Sequence, residues 1–256
     1  MLPLKLMGIK RPYFVTTIAI LLCLALGNKS FAQFNDSTFY HTAFQSTGSI
    51  NKTRDGSAYL LNNGLKFNVK RKDISLNFNN SWVYGKQTGV LSNNDFSSSL
   101  DFNLYKGIPH FYYWGSANYN TSYSLKINNQ LLTGAGIAYN FLDSKNNYLN
   151  LSEGVLFDTS DLMLPDNTRD EYTTFRNSLR LQFRFNIGDR VVLDGSNFLQ
   201  NSFDRGSDFN IRSTTNLSFK LQSWLALTTS LNYNRVNRTL SENLLFTYGL
   251  TLEKWF

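Results

Sequence analysis

Cysteine is nearly absent from this chain. The single one, Cys23, lies in an apolar N-terminal stretch, so the rest of the chain carries no thiol. That excludes disulfides, thiolate catalysis and Cys-ligated metals. Histidine is almost as scarce: His41 and His110 are the only two, and they lie far apart. Two separated histidines make a poor ligand set for zinc, and no run of acids matches an EF-hand loop. No metal, cofactor or catalytic residue is expected. Long apolar runs are missing too. Beyond residue 32 no stretch is long and apolar enough to cross a bilayer as a helix.

The first residues have a separate logic. Lys5, Lys10 and Arg11 precede an apolar run from Tyr13 to Leu26, and Ser30-Phe31-Ala32 offers small residues for cleavage. This is the pattern of a secretory signal peptide over 1–32, removed near Ala32, which leaves 33–256 as the mature domain. Leu22 before Cys23 is bulky and the apolar run continues beyond it, which argues against lipidation. Lys5, Lys10, Arg11 and Lys29 would leave with the leader and no acid would, so the formal +7 falls to +3. The high isoelectric point is largely a targeting feature, and no nucleic-acid partner is expected.

What the chain has in quantity is alternation. Leu244, Phe246, Tyr248, Leu250, Leu252 and Phe256 share one face of the last segment; Thr247, Gly249, Thr251 and Glu253 share the other. A strand reads this way when one side meets lipid and the other a wet lumen. The pattern recurs. Tyr59, Leu61, Leu65, Phe67 and Val69 oppose Asn62, Gly64, Lys66, Asn68 and Lys70. Phe96, Leu100, Phe102 and Leu104 oppose Ser97, Ser99, Asp101 and Asn103. Phe175, Leu179, Leu181, Phe183 and Phe185 oppose Arg176, Arg180 and Arg184. About twelve such segments fit, an even number as single-chain outer-membrane barrels have. The expected fold is all-β: an antiparallel up-and-down transmembrane β-barrel in the outer membrane of a Gram-negative cell. A soluble β-sandwich is the alternative, but its strands average only about five or six residues, and several segments here run longer.

Links between segments also suggest orientation. Short ones (Arg71-Lys72-Asp73, Gly188-Asp189) are expected to alternate with longer ones: Asn51 to Gly56, Gly85 to Asp95, Asp158 to Arg169, Gln200 to Ser207 and Asn234 to Glu242. Short periplasmic turns and longer extracellular loops give that rhythm. Asp158 to Arg169 is the longest expected loop; it could fold inward as a constriction or bind a partner outside, but a plain solvated loop is the reading we favour. Tyr59, Trp82, Tyr84, Tyr123 and Tyr233 then fall at extracellular ends. Tyr139, Phe141, Phe185, Phe219 and Phe256 fall at periplasmic ends, making two interfacial girdles. The terminal Phe256 resembles the signal by which barrel-assembly machinery recognises its clients. Outer-membrane lipids are the other expected partner; oligomeric state is left open.

The segment Leu131-Leu132-Thr133-Gly134-Ala135-Gly136-Ile137-Ala138-Tyr139-Asn140-Phe141, followed by Tyr148-Leu149-Asn150-Leu151-Ser152-Glu153-Gly154-Val155, pairs a two-glycine strand with a Glu-Gly strand. It resembles the YdiY-like family of salt-induced outer-membrane proteins, a domain of unknown function. The resemblance implies an outer-membrane barrel and transfers no site residue.

Alternation places Arg176, Arg180, Arg184, Arg212, Lys66, Asp101 and Asp194 in the lumen. Such a lumen could favour anions, or its charges could pair and fill it, as small barrels often do; the filled lumen is the reading we favour. A small-solute or ion channel is the first functional expectation. A structural or adhesive barrel acting through its loops is the second. A lipid-active enzyme is third, since neither histidine has an evident Ser or Asp partner in sequence.

Overall fold

A computed structural model describes residues 39–144 and 147–256. The expected signal peptide lies outside the described residues. Twelve strands form one closed sheet: β1 Tyr40–Lys52, β2 Ser57–Arg71, β3 Ile74–Gln87, β4 Val90–Leu104, β5 Phe111–Ser122, β6 Ile127–Asp143, β7 Asn147–Met163, β8 Arg169–Ile187, β9 Val191–Ser202, β10 Phe209–Lys220, β11 Leu225–Val236 and β12 Ser241–Trp255. Every strand pairs antiparallel with its sequence neighbours, and β1 closes on β12. Closure removes the unpaired edges that an open sheet would expose to lipid. The terminal residue joins the closure: the Tyr40 N–H donates to the Phe256 carbonyl at 2.8 Å, and the Phe256 N–H donates to Tyr40 at 3.0 Å.

Alternation decides which side chain goes where. On β2, Leu61, Leu65 and Phe67 are exposed on the outer wall, while Leu60 is buried within. Among the described residues no helix is long and apolar enough to cross a membrane; strands do the crossing. The outer wall is an apolar band with aromatic clusters at both ends. Trp82 and Tyr84 lie 5.7 Å apart near the end opposite the termini. Tyr139 contacts Phe141 at 5.0 Å and Phe111 at 4.8 Å near the end that holds them.

The expected long extracellular loops are not there, because pairing continues past the membrane. Gly85 to Asp95 belongs mostly to β3 and β4, which meet at a tight Thr88–Gly89 turn. Both turn residues have positive φ, 49° and 82°, the hairpin geometry that suits strand twist. Asp158 to Arg169 is likewise a hairpin end. β7 and β8 stay in register up to Met163↔Arg169. They persist because their polar side chains find partners: the Arg169 Nη2 donates to Asp161 at 2.7 Å. The connection at that point is only residues 164–168. The expected contrast between long and short links is therefore weak in this barrel.

The core sits inside the barrel. Tyr112, Trp114, Leu132, Ala138 and Leu156 form one buried cluster on β5, β6 and β7. Leu125, Ile127, Leu162 and Val236 form another under the mouth opposite the chain termini.

Candidate functional site: the barrel lumen

The lumen is crossed by arginines. Arg180, on β8, reaches over to β4 and donates to Asp101 Oδ1 at 3.1 Å. Its Nε donates to Ser152 at 3.1 Å. The guanidinium lies 5.2 Å from the Trp114 ring and 5.8 Å from that of Phe198. A planar guanidinium suits this place, since it can bind a carboxylate edge-on while its faces meet aromatic rings. A cavity of about 20 Å³ beside it has room for about one or two waters. Arg212, on β10, makes a second chord. Its Nη1 donates to Asn120 on β5 at 3.0 Å, and its Nη2 to Gln130 on β6 at 2.7 Å.

Towards the end opposite the chain termini a denser network closes the lumen. Arg176 is fully buried. It pairs with Asp158 at 2.5 Å and Asp208 at 2.9 Å, and donates to the Tyr172 hydroxyl at 2.9 Å. Arg238, in the 3-10 turn Asn237–Thr239 between β11 and β12, lies 3.6 Å from the Tyr172 ring. It binds Asp170 at 2.6 Å and Asp208 at 2.8 Å. Burial alone would lower the Arg238 pKa, but the hydrogen bonds to Asp170 and Asp208 outweigh it, and the pKa is raised. Asp208 thus joins two arginines, and the network ties together three connections at this end.

At the opposite end, His41 stacks on Trp255 at 3.9 Å and lies 3.4 Å from Glu253. Asn68 holds its other ring nitrogen at 3.1 Å. Asp194 accepts from Asn216 at 2.9 Å. Arg184 and Lys66 lie on the same lumen parity but make no ion pair within 4.0 Å among the described residues. His110 sits in the β4–β5 connection, its ring 6.1 Å from that of Tyr139.

Sequence reasoning missed Asp158, Asp170, Tyr172, Asp208, Arg238 and Trp114. Asp158 was readable: it shares parity with Ser152 and Leu156, and extending the strand one residue past Phe157 turns it inward. Asp170, Asp208 and Arg238 lie at strand ends or in connections, where parity is silent.

An apolar exterior, aromatic ends and a polar interior bridged by charge define an outer-membrane β-barrel. The family follows from a direct match. The model described as "Protein of unknown function, DUF481" covers residues 57–252, and the chain belongs to that family. This agrees with the YdiY-like resemblance of the Leu131–Val155 hairpin. No curated protein matches the chain. Among solved structures, the NanC porin aligns with a TM-score of 0.51 at 8% identity, over 83% of this chain and 98% of that one. The COG4313 outer membrane channel from Pseudomonas putida F1 aligns at 0.48 with 10% identity, over 90% and 100%. The translocator domain of the autotransporter NalP from Neisseria meningitidis aligns at 0.45 with 10% identity, over 94% and 95%. The NanC likeness shows the fold alone.

Proposed function

We propose that this barrel conducts small polar solutes or ions through a lumen that side chains, and not an inserted segment, hold narrow. One observation carries the reading. The lumen-facing polar groups have hydrogen-bonding capacity to spare: the Asn210 amide and Gln200 Oε1 are buried on neighbouring strands with no protein partner among the described residues. Buried polar atoms demand partners, and water or a polar solute supplies them. The chords of Arg180 and Arg212 are single side chains, which rotate out of the way far more readily than a folded plug. At the extracellular mouth a cup of about 540 Å³ opens outward between Pro165, Asp170, Arg205, Arg238 and Leu240. It would be the solute's first contact.

The remaining lumen residues, Arg184, Lys66 and Asp194, would tune ion preference without closing the path. The reading includes export behind a signal cleaved near Ala32, and recognition of the Phe256 end by the assembly machinery. Deleting Phe256 is then expected to lower the amount of folded barrel in the outer membrane, measured by heat-modifiability, without affecting refolding in detergent. We take the chain to lack catalysis: His41 is held by Asn68, Glu253 and Trp255, and His110 lies in a turn. The short extracellular turns leave little surface for an adhesive role.

Single-channel recording in a planar bilayer tests the proposal. The wild type should give small stepwise currents, and the pair Arg180→Ala with Arg212→Ala should enlarge them. Silence from both, with both proteins folded, would mean a sealed lumen and end the channel reading.

A further inference from the structure

Glu153 stands on the wrong side of the wall. It shares a parity with Leu151, Val155 and Phe157 on β7, and it is exposed on the outer surface. Its register partners are Ile137 on β6 and Leu179 on β8, both outward and apolar. Below it lies the Tyr139 aromatic cluster; above it Phe157 and Phe175 pack at 5.5 Å. Glu153 is therefore within the lipid-facing band. The other ionisable groups on outward positions, such as Arg71, Glu171, Arg235, Glu242 and Lys254, sit within the last few residues of their strands, where headgroups and water reach them.

One donor is supplied locally. Asn177 on β8, also outward, gives its Nδ2 hydrogen to Glu153 Oε1 in a short hydrogen bond. A carboxylate offers about four acceptor positions, and lipid tails fill none of the rest. Ionisable side chains at this depth are costly and mark functional contacts. Other outward polar pairs are different. Ser46 with Asn63 at 2.8 Å and Ser213 with Asn197 at 2.6 Å are neutral and satisfy each other.

We infer that the outer face of β7 and β8 binds a second copy of this chain in the membrane, through the Glu153–Asn177 pair. The pair is self-complementary. Across a two-fold axis, Glu153 of each copy accepts from the other copy's Asn177 amide, which carries a second hydrogen beyond the one given to its own Glu153. An isologous contact of this kind needs a patch carrying both donor and acceptor, and this patch does. The exposed Ile137, Val155 and Phe175 around it supply apolar contact. Polar pairing between membrane segments adds modest but decisive affinity where the alternative is hydrocarbon. The inference does not depend on whether the lumen conducts.

Cysteine cross-linking in intact outer membranes tests it, with Cys23→Ser as background. Val155→Cys should give a disulfide-linked dimer, and Leu227→Cys on β11 should not. In mild detergent, Glu153→Leu should weaken self-association about tenfold, the effect of losing the two symmetric polar contacts at a modest strength each. Glu153→Gln, which keeps an acceptor, should retain most of it. Heat-modifiability shows that each variant is folded. A wild type of single-chain mass with no Val155→Cys cross-link would overturn the proposal, as would a folded Glu153→Leu that self-associates like its parent.

Discussion

Gly154→Val is expected to give a chain that does not refold to a heat-modifiable barrel, whereas Gly206→Ala should refold like the parent. The difference lies in what a side chain would meet. Gly154 on β7 is the register partner of Gly136 on β6. The Trp114 indole approaches both from the lumen side. A Cβ at Gly154 would fall 2.9 Å from the Gly136 Cα and closer still to the Ala135 carbonyl and the Trp114 ring. A Cβ at Gly136 would meet the Gly154 Cα and Trp114 Cζ2, each at 2.6 Å. Trp114 cannot simply swing aside. Its Nε1 donates to the Ile137 carbonyl at 3.2 Å and its face carries Arg180. Overpacking usually costs about 1–3 kcal/mol; here backbone on two strands obstructs as well, so valine should exceed that range. Gly206 has nothing within 4 Å of its Cβ position. The paired-glycine hairpin that carries the family resemblance is thus the seat of the lumen tryptophan. Gel mobility before and after heating reads the outcome; a folded Gly154→Val would show that β6 and β7 can part without losing the barrel.

Arg176→Leu is expected to destabilise the barrel by about 3–5 kcal/mol, the usual consequence of stripping one partner from a buried charge network. Asp158 and Asp208 are both buried; Asp158 would lose its strongest donor and Asp208 one of its two guanidinium partners. Asp208 would retain Arg238, but Asp158 would be left with only neutral donors such as Tyr172 and Ser160. The expected measurement is a lower urea midpoint at unchanged slope. Arg176→Leu combined with Asp158→Leu should recover part of the loss, because removing both ends of a buried pair costs less than removing one. An unchanged midpoint in the single variant would mean that water already reaches Asp158 and screens it.

Much of this barrel is legible along the chain. Leu244 to Phe256 announces its two faces without help, and so do β2, β4 and β8. Side chains alternate at period two along a strand, and lipid accepts only one parity. The same rule reads Arg180 as an inward residue. It stops being useful where strands end. Asp158 resembled a loop residue because the apolar parity of β7 fades after Phe157. Yet Thr159, Ser160 and Asp161 continue the ladder, with Asp158 held by Tyr172 and Arg176 and Asp161 by Arg169, all from the facing strand β8. The Thr88–Gly89 turn was hidden for a similar reason: polar residues flank it on both sides, and the pattern alone suggested a long connection.

The sequence by itself determined the class of fold, the number of strands and, along the clearly alternating stretches, the wall a side chain faces, because those depend on a local period and a uniform solvent outside. Only the tertiary structure decided which lumen charges meet. Arg180 finds Asp101 on the far side of the barrel, and Arg212 finds Gln130. Arg176 and Arg238 share Asp208. Each pairing joins strands that are not neighbours in the sheet, or ties strands to a turn. It is set by the stagger that closing twelve strands imposes around the whole ring. A period of two residues carries no information about that stagger, so the contents of the lumen were readable and their arrangement was not.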